Sequence, residues 1–201
     1  MTHAFPTLDA YLRQVPDGFD SFPQCSIKAS VVRDALSSKP LVDDPELPAP
    51  IRAFLQNPPP VSSLVSEVLS NAMLMVLYDV HFSAVGRQAM WDWLHASTYE
   101  LLRTPLYHIL FAVLSPERLL TGVTQRWSAF RRGSELTITE KKEGFARLRL
   151  QFPAMLHTDL TIFLLTAGFH AAIDCAGARA VRVEVDARST SEAVFGCHYS
   201  R

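Results

Sequence analysis

The stretch at residues 134–152 reads SELTITEKKEGFARLRLQF and has the alternation of a β-hairpin. Leu136 and Ile138 alternate with threonines, and after a charged turn that ends at Gly144 the apolar residues return among arginines. A period of two places apolar side chains on one face of a strand and polar ones on the other. The stretch therefore predicts two antiparallel strands with one face in the core and one face toward water.

The chain that follows the hairpin predicts a helix and then two more strands. Residues 157–178, HTDLTIFLLTAGFHAAIDCAGA, form a long apolar segment that Thr158 or Asp159 can cap and Gly177 can end. The next residues, RAVRVEVD, alternate valines with charges, and AVFGCHY near the end of the chain reads as a final strand.

The chain that precedes the hairpin is helical in pattern. Apolar residues recur at three- and four-residue spacing from Val61, in VSSLVSEVLSNAMLMVLY. We expect a second helix over residues 83–103, which Pro105 stops, and a third from Pro105 to Leu114. The fold class is therefore predicted as α+β: an N-terminal helical layer packed on a C-terminal antiparallel sheet made of a hairpin, a helix and two strands.

A proline-rich segment separates the first part of the chain from the rest. Seven of the thirteen prolines fall within residues 40–60. Proline lacks the amide donor and clashes inside a helix, so this stretch holds at most a short helix, near residues 47–56. We expect a single domain over residues 1–201, in which an N-terminal extension (1–60) packs on a core (61–201).

Composition excludes several classes of protein. The chain is 48% hydrophobic and 19% charged with a net charge of −1, so no basic stripe predicts a nucleic-acid partner. The longest apolar runs are interrupted by charge and fall short of a membrane span, and the N-terminus lacks a secretion signal. Three scattered cysteines (Cys25, Cys175 and Cys197) form neither a disulfide framework nor a CxxC zinc motif, and a cytoplasmic location is expected.

The motifs of common cofactor enzymes are also missing from the sequence. It contains no GxGxxG or GxxxxGK loop for nucleotide phosphates, no GxSxG nucleophile elbow and no HExxH metal motif. We therefore expect no cofactor. An enzyme without one would have to shape a pocket around a reactive substrate and use general acid–base groups.

Several local strings resemble a family of myxobacterial proteins of unknown function, which in turn look like 4-vinyl-reductase-type ligand-binding domains. The resembling strings are GRQAMWDWLHASTYELLRTPLYHIL, LSPERLL, FRRGSELTI, GFHAAIDCAGARAVRVEV and the terminal CHY, which together span roughly residues 60 to 199. The resemblance implies a fold shared with haem-based nitric-oxide sensors and with a Golgi vesicle-tethering subunit. In that superfamily, helices cover an antiparallel sheet and often enclose an apolar ligand, an acyl chain or a haem.

The resemblance carries over no catalytic residue, and its haem-binding version fails a check on the sequence. Tyr199, Ser200 and Arg201 stand side by side, whereas the sensors space a tyrosine, a serine and an arginine alternately to hold the haem propionates. Haem is therefore not expected.

The helix over residues 83–103 carries the main candidate site. Arg87, Trp91, His95 and Tyr99 recur every four residues and form a row along one edge of its apolar face. Such a row could line a pocket with a basic anchor, an aromatic wall, an imidazole and a phenol. It could equally be an amphipathic border, since these side chains keep an apolar body and a polar tip. Asp92 could pair with His95 and orient its ring, or face solvent.

Five other positions are candidates for ligand contact or catalysis. Tyr107 could add a second wall or simply pack in the core. Asp79 and His81 lie in a connection between helices, where Asp79 could act chemically or cap the helix that follows. Trp127 could stack on a ligand and Arg131 could clamp an anion, or both could belong to a charged strand edge.

The last predicted helix and the final strand carry residues that could ligate a metal. His170 and Asp174 are four residues apart, Cys175 is adjacent, and Cys197 and His198 lie on the final strand. The spacing matches no known zinc motif, so the sequence assigns no metal.

Three functions remain open from the sequence. The first is binding of a small, largely apolar molecule between helices and sheet, with ligand contacts from Arg87, Trp91, Tyr107, Trp127 and Arg131. The second is a cofactor-free cyclase, hydrolase or isomerase that tailors an apolar, polyketide-like metabolite of secondary metabolism. Its acid–base groups would be Asp79, His81, His95 and Tyr99. The third is a scaffold in which the helices of residues 61–110 form a homodimer. An apolar cavity without convergent titratable groups favours the first, and a flat apolar helical face favours the third.

Overall fold

The computed structural model describes residues 5–41, 44–105, 107 and 115–200. The helices are α1 Pro6–Gln14, α2 Ala29–Ser38, α3 Ala49–Gln56, α4 Glu67–Leu77, α5 Arg87–Arg103, α6 Pro116–Thr121, α7 Val123–Phe130 and α8 Asp159–Cys175. The strands are β1 Ser26–Lys28, β2 Leu64–Ser66, β3 Arg131–Arg132, β4 Glu135–Lys142, β5 Phe145–Gln151, β6 Arg179–Arg188 and β7 Glu192–Ser200. A 3-10 turn covers Gly18–Asp20, and a π-helix covers Tyr78–Phe82.

The C-terminal strands form a four-stranded antiparallel sheet in the order β4-β5-β7-β6. Leu136 pairs with Leu150 and Ile138 with Leu148, so the apolar residues of the hairpin share one face, as predicted. Helix α8 packs against β6 and β7 and also lies along α5. The α+β class, with a helical layer on a C-terminal antiparallel sheet, is confirmed.

A second, smaller sheet has the order β2-β1-β3. Its strands come from three distant parts of the chain: Ile27 pairs with Val65 on one side and with Arg131 on the other. The predicted helix from Val61 therefore begins only at Glu67, where the Ser66 side chain accepts a hydrogen bond from the backbone N–H of Leu69. Spacing along the chain cannot reveal strand partners so far apart in sequence.

The N-terminal residues share the main hydrophobic core. Leu8 and Tyr11 of α1 and Ile51 and Phe54 of α3 are buried in the same cluster as the apolar residues of the large sheet. The Tyr11 hydroxyl donates a hydrogen bond to the Leu156 carbonyl at 3.0 Å. The proline-rich segment thus supplies one short helix, α3, as its apolar residues predicted.

The chain turns sharply between α4 and α5. The π-helix follows α4 directly, and Gly86 then takes φ +89°, so α5 begins at Arg87 and not at Ser83 as the pattern suggested. Among the described residues no single helix is long and apolar enough to cross a membrane. Glu67–Phe82 and Arg87–Arg103 are long and apolar enough for a membrane span only when they are taken together, and the chain bends by 117° between them. Most of the predicted helix from Pro105 to Leu114 lies outside the described residues.

Candidate functional site

An apolar cavity of about 210 Å³ lies between the helices and the large sheet. Its walls are the facing apolar side chains of α2, α4, α5, α6, α7 and α8, with one apolar residue each from β1, β4 and β5. Representative wall residues are Val32, Met73, Leu94, Leu101, Leu164, Phe169, Leu136 and Leu148. The helical and alternating patterns that build the core thus also build this cavity.

Gly168, in the interior of α8, forms part of the cavity wall. A Cβ atom at this position would meet no heavy atom within 4 Å. Glycine destabilises a helix interior by roughly 1 kcal/mol relative to alanine. Gly168 therefore lowers the stability of α8, and the absence of a side chain leaves open space in the cavity. The sequence pattern showed only an apolar helix and gave no sign of this space.

One end of the cavity is polar. Glu67, at the start of α4, is fully buried and forms an ion pair with the guanidinium of Arg131, whose side chain is 14% exposed. Burial raises the pKa of Glu67, while the Arg131 charge acts in the opposite direction. Arg131 lies 4.9 Å from the centre of the Trp127 ring. Arg131 and Trp127 both line the cavity, and the Arg131 guanidinium is paired with the buried carboxylate of Glu67.

His157 is the second polar side chain at this end. It is buried, lies edge-on to Phe152 with ring centres 4.7 Å apart, and lines the cavity. Burial and the nearby Arg131 charge lower its pKa from 6.5 to about 3, so the ring is neutral. Its Nε2 is 3.4 Å from a Glu67 oxygen, but neither ring nitrogen has a hydrogen-bond partner among the described residues.

The sequence missed both Glu67 and His157. His157 stands in the connection before α8, where no period applies, and Glu67 looked like a charge that merely interrupts an apolar run. Only the tertiary structure brings them to Arg131.

The predicted row on α5 packs against α8 and does not line the cavity. Arg87 lies 4.8 Å over the Phe163 ring, and Trp91 donates a hydrogen bond from Nε1 to the Thr166 hydroxyl at 2.7 Å. Trp91 stacks on His95 with ring centres 5.2 Å apart and an interplanar angle of 4°. Tyr99 stacks on the same ring at 6.3 Å. The cavity is lined by a different face of α5, through Leu94, Thr98, Leu101 and Leu102.

His95 meets His170 and Asp174 of α8. Its Nε2 is 3.2 Å from Asp174 Oδ2 and 3.0 Å from His170 Nδ1, and the latter is 3.1 Å from Asp174 Oδ2. The three side chains are 20–26% exposed. Asp92, the partner considered for His95, instead accepts a hydrogen bond from Gln88.

The cysteines considered for a metal site lie elsewhere. Cys175 donates a weak hydrogen bond to the Tyr99 carbonyl, Cys197 is buried on β7, and His198 packs against the Phe145 ring at 4.8 Å. The structure therefore joins His170 and Asp174 to a histidine from another helix, a pairing that spacing within α8 could not indicate.

The remaining predicted residues have other surroundings. Asp79 accepts hydrogen bonds from the backbone N–H groups of Thr7 and Leu8, at 3.0 and 3.3 Å, and so caps α1 and not the helix that follows it. His81 Nε2 lies 3.3 Å from the Pro40 carbonyl oxygen. Tyr107 is buried, with its hydroxyl 2.7 Å from that of Ser30. None of these three lines the cavity.

No protein-family model and no curated protein matches this sequence. Among solved structures, the Fe(II) unliganded H-NOX protein from K. algicida covers 87% of this chain and 97% of its own, at 10% identity and a TM-score of 0.50. An alanine-to-glycine mutant of that protein has a TM-score of 0.49 at the same identity and coverage. The first likeness confirms a haem-NO-sensor-like fold. Membership of the myxobacterial family and likeness to 4-vinyl reductases stay predictions.

Proposed function

We propose that this chain is a ligand-binding domain that holds a small, largely apolar molecule in the cavity between its helices and its large sheet. The observation that carries the proposal is the cavity itself: about 210 Å³ with apolar walls and open space at Gly168. Native interiors are otherwise close-packed, and room of this kind in a structure is the usual place for a ligand.

The size of the cavity limits the ligand. Engineered apolar cavities of roughly 150 Å³ take up benzene or xenon and stay free of water. A cavity of about 210 Å³ therefore suits a molecule of one or two rings, or a short acyl chain.

The polar end of the cavity limits its chemistry. A neutral imidazole carries one N–H donor and one acceptor nitrogen, and neither nitrogen of His157 has a hydrogen-bond partner in the described structure, although Nε2 lies 3.4 Å from a Glu67 oxygen. A buried unpaired donor costs about 1–3 kcal/mol, and an oxygen on the ligand would remove that cost. Arg131 is already engaged by Glu67, which disfavours a second carboxylate. The expected ligand is thus apolar with one carbonyl or hydroxyl oxygen.

The related fold raises the question of haem, since the H-NOX structure contains Fe(II). Of the described cavity residues, Met73 and His157 have side chains of the kind that ligate haem iron. The space is nevertheless that of one or two rings and not of a four-ring porphyrin, and the His157 Nε2 faces Glu67. These residues do not fit a haem, and the proposal uses only the shared ligand-enclosing architecture.

The test uses variants of Gly168 and a neutral fluorescent probe, 2-naphthol, which has two rings and one hydroxyl oxygen. Gly168→Phe places a ring in the cavity, and Gly168→Ala adds a single methyl group as the matched control. We expect the natural protein and Gly168→Ala to bind the probe with similar affinity. Gly168→Phe should weaken binding by more than roughly tenfold, a change of 1.4 kcal/mol, while circular dichroism shows a folded chain.

Native mass spectrometry of the purified natural protein provides the second readout. A co-purifying small molecule that is lost from Gly168→Phe would support the proposal and identify the ligand. If folded Gly168→Phe bound the probe as tightly as the natural protein does, the proposal would be contradicted. If Gly168→Phe does not fold, the same comparison is made with Gly168→Leu.

A further inference from the structure

We propose that His95, His170 and Asp174 form a binding site for a divalent transition-metal ion of the Zn²⁺ class, at the contact between α5 and α8. His95 lies on a different face of α5 from the cavity, and His170 and Asp174 of α8 do not line the cavity either, so this proposal stands independently of the apolar ligand. Each residue offers one ligand atom, and these atoms lie within 4.8 Å of one another.

The spacing of the three atoms matches a coordination sphere. The pairwise distances are 3.0, 3.1 and 3.2 Å. With metal–ligand bonds of about 2.0–2.2 Å, neighbouring ligand atoms are separated by roughly 3.0 Å in an octahedron and 3.4 Å in a tetrahedron. A metal could therefore be held by all three atoms with shifts of a few tenths of an ångström.

The hydrogen bond of His170 orients its free lone pair toward the cluster. His170 Nε2 lies 2.9 Å from the Val181 carbonyl oxygen, and a carbonyl oxygen can only accept, so Nε2 carries the proton. In the neutral ring, Nδ1 is then an acceptor, 3.1 Å from the carboxylate acceptor of Asp174. A positive charge between the two would offset their repulsion. A backbone carbonyl that fixes the second nitrogen is the usual support of a metal-bound histidine.

Neighbouring rings hold His95 in place. Trp91 stacks on one side and Tyr99 also stacks on the ring, while the Trp91 N–H is fixed by Thr166. His170 and Asp174 are one helical turn apart on α8, a spacing that presents two ligands on one face. The site is thus organised before any ion binds.

The donor set selects the class of metal. Two imidazole nitrogens and one carboxylate oxygen suit Zn²⁺ and its first-row neighbours, whereas Ca²⁺ and Mg²⁺ prefer oxygen alone. Three protein ligands also leave at least one coordination position for water or a substrate, as in catalytic zinc sites. The side chains are 20–26% exposed, which gives solvent access to that position.

The experiment measures Zn²⁺ binding to tag-free protein that has been stripped with a chelator and desalted. We expect saturable binding of one Zn²⁺ by isothermal titration calorimetry at neutral pH, and visible d–d absorption when Co²⁺ replaces Zn²⁺. His170→Ala and Asp174→Asn should each lower the affinity by more than the roughly 10–100-fold loss that a missing second-shell partner causes. The matched control is His198→Ala, which removes a histidine that packs on Phe145 outside the cluster.

Two results would overturn the proposal. One is the absence of saturable Zn²⁺ and Co²⁺ binding by the natural protein, which would leave the cluster as a hydrogen-bonded histidine–carboxylate group. The other is equal binding by the control and by folded His170→Ala and Asp174→Asn. Probe binding in the cavity is measured separately, so failure of one proposal does not affect the other.

Discussion

At the scale of single residues, His157 links burial to pH dependence. Its pKa is about 3 in the folded protein and 6.5 when exposed, so between these values the unfolded chain binds a proton that the folded chain does not. Stability therefore falls as pH falls through this window, by up to about 1.4 kcal/mol per pH unit. The raised pKa of Glu67 acts in the opposite sense.

We expect His157→Phe to remove this part of the pH dependence. Between pH 7 and pH 5 the natural protein should lose about 2 kcal/mol relative to the variant, because phenylalanine fills the same space without titrating. Urea unfolding at both pH values measures the difference, and Glu67 is retained in both proteins. Parallel stability curves for the two would show that His157 is not held neutral by the fold.

Asp79 illustrates how a catalytic candidate can have a structural role. Its carboxylate accepts two hydrogen bonds at the start of α1, where the helix dipole also favours negative charge. Asp79→Ala should lower the free energy of unfolding by about 1 kcal/mol, and Asp79→Asn, which can still cap, should lower it less. Equal losses for the two variants, or none, would contradict the capping role.

At the scale of elements, the hairpin and α8 were predictable because their signals are local. The register of β4 and β5 follows from an alternation within one stretch, and the N-cap of α8 is Thr158, one of the two residues that the sequence indicated. The small sheet was missed because β1, β2 and β3 are short and far apart in the chain. The His95–His170–Asp174 cluster was missed for the same reason: its members come from two helices whose contact is purely tertiary.

Two glycines should respond to the same substitution with opposite signs. Gly168 lies in a regular helix with open space around its Cβ position, so Gly168→Ala should raise the free energy of unfolding by about 1 kcal/mol. Gly86 has φ +89° and ψ 168° at the bend before α5, so Gly86→Ala should cost about 1–3 kcal/mol. Chemical denaturation of both variants tests this, and a loss of stability in Gly168→Ala would show that the cavity wall lacks the space described.

At the scale of the whole molecule, one buried ion pair connects the N-terminal and C-terminal parts. Glu67 begins α4 directly after β2, and Arg131 belongs to β3. The strands β2 and β3 flank the central strand β1, and the ion pair joins residues at these two edges. The sequence left Arg131 open as a ligand contact or as part of a charged strand edge. Its pairing with a carboxylate 64 residues away could not be read from the sequence.

Breaking this pair should destabilise the fold more than removing it entirely. Glu67→Met leaves the Arg131 guanidinium without its buried counter-ion, and Arg131→Met leaves the carboxylate in the same state, so each should cost about 3–5 kcal/mol. The double variant replaces both charges by apolar side chains of similar length, and it should be more stable than either single variant. A thermodynamic cycle from urea unfolding measures the coupling. Additive losses would mean that the two charges are stabilised independently and that the small sheet does not depend on their contact.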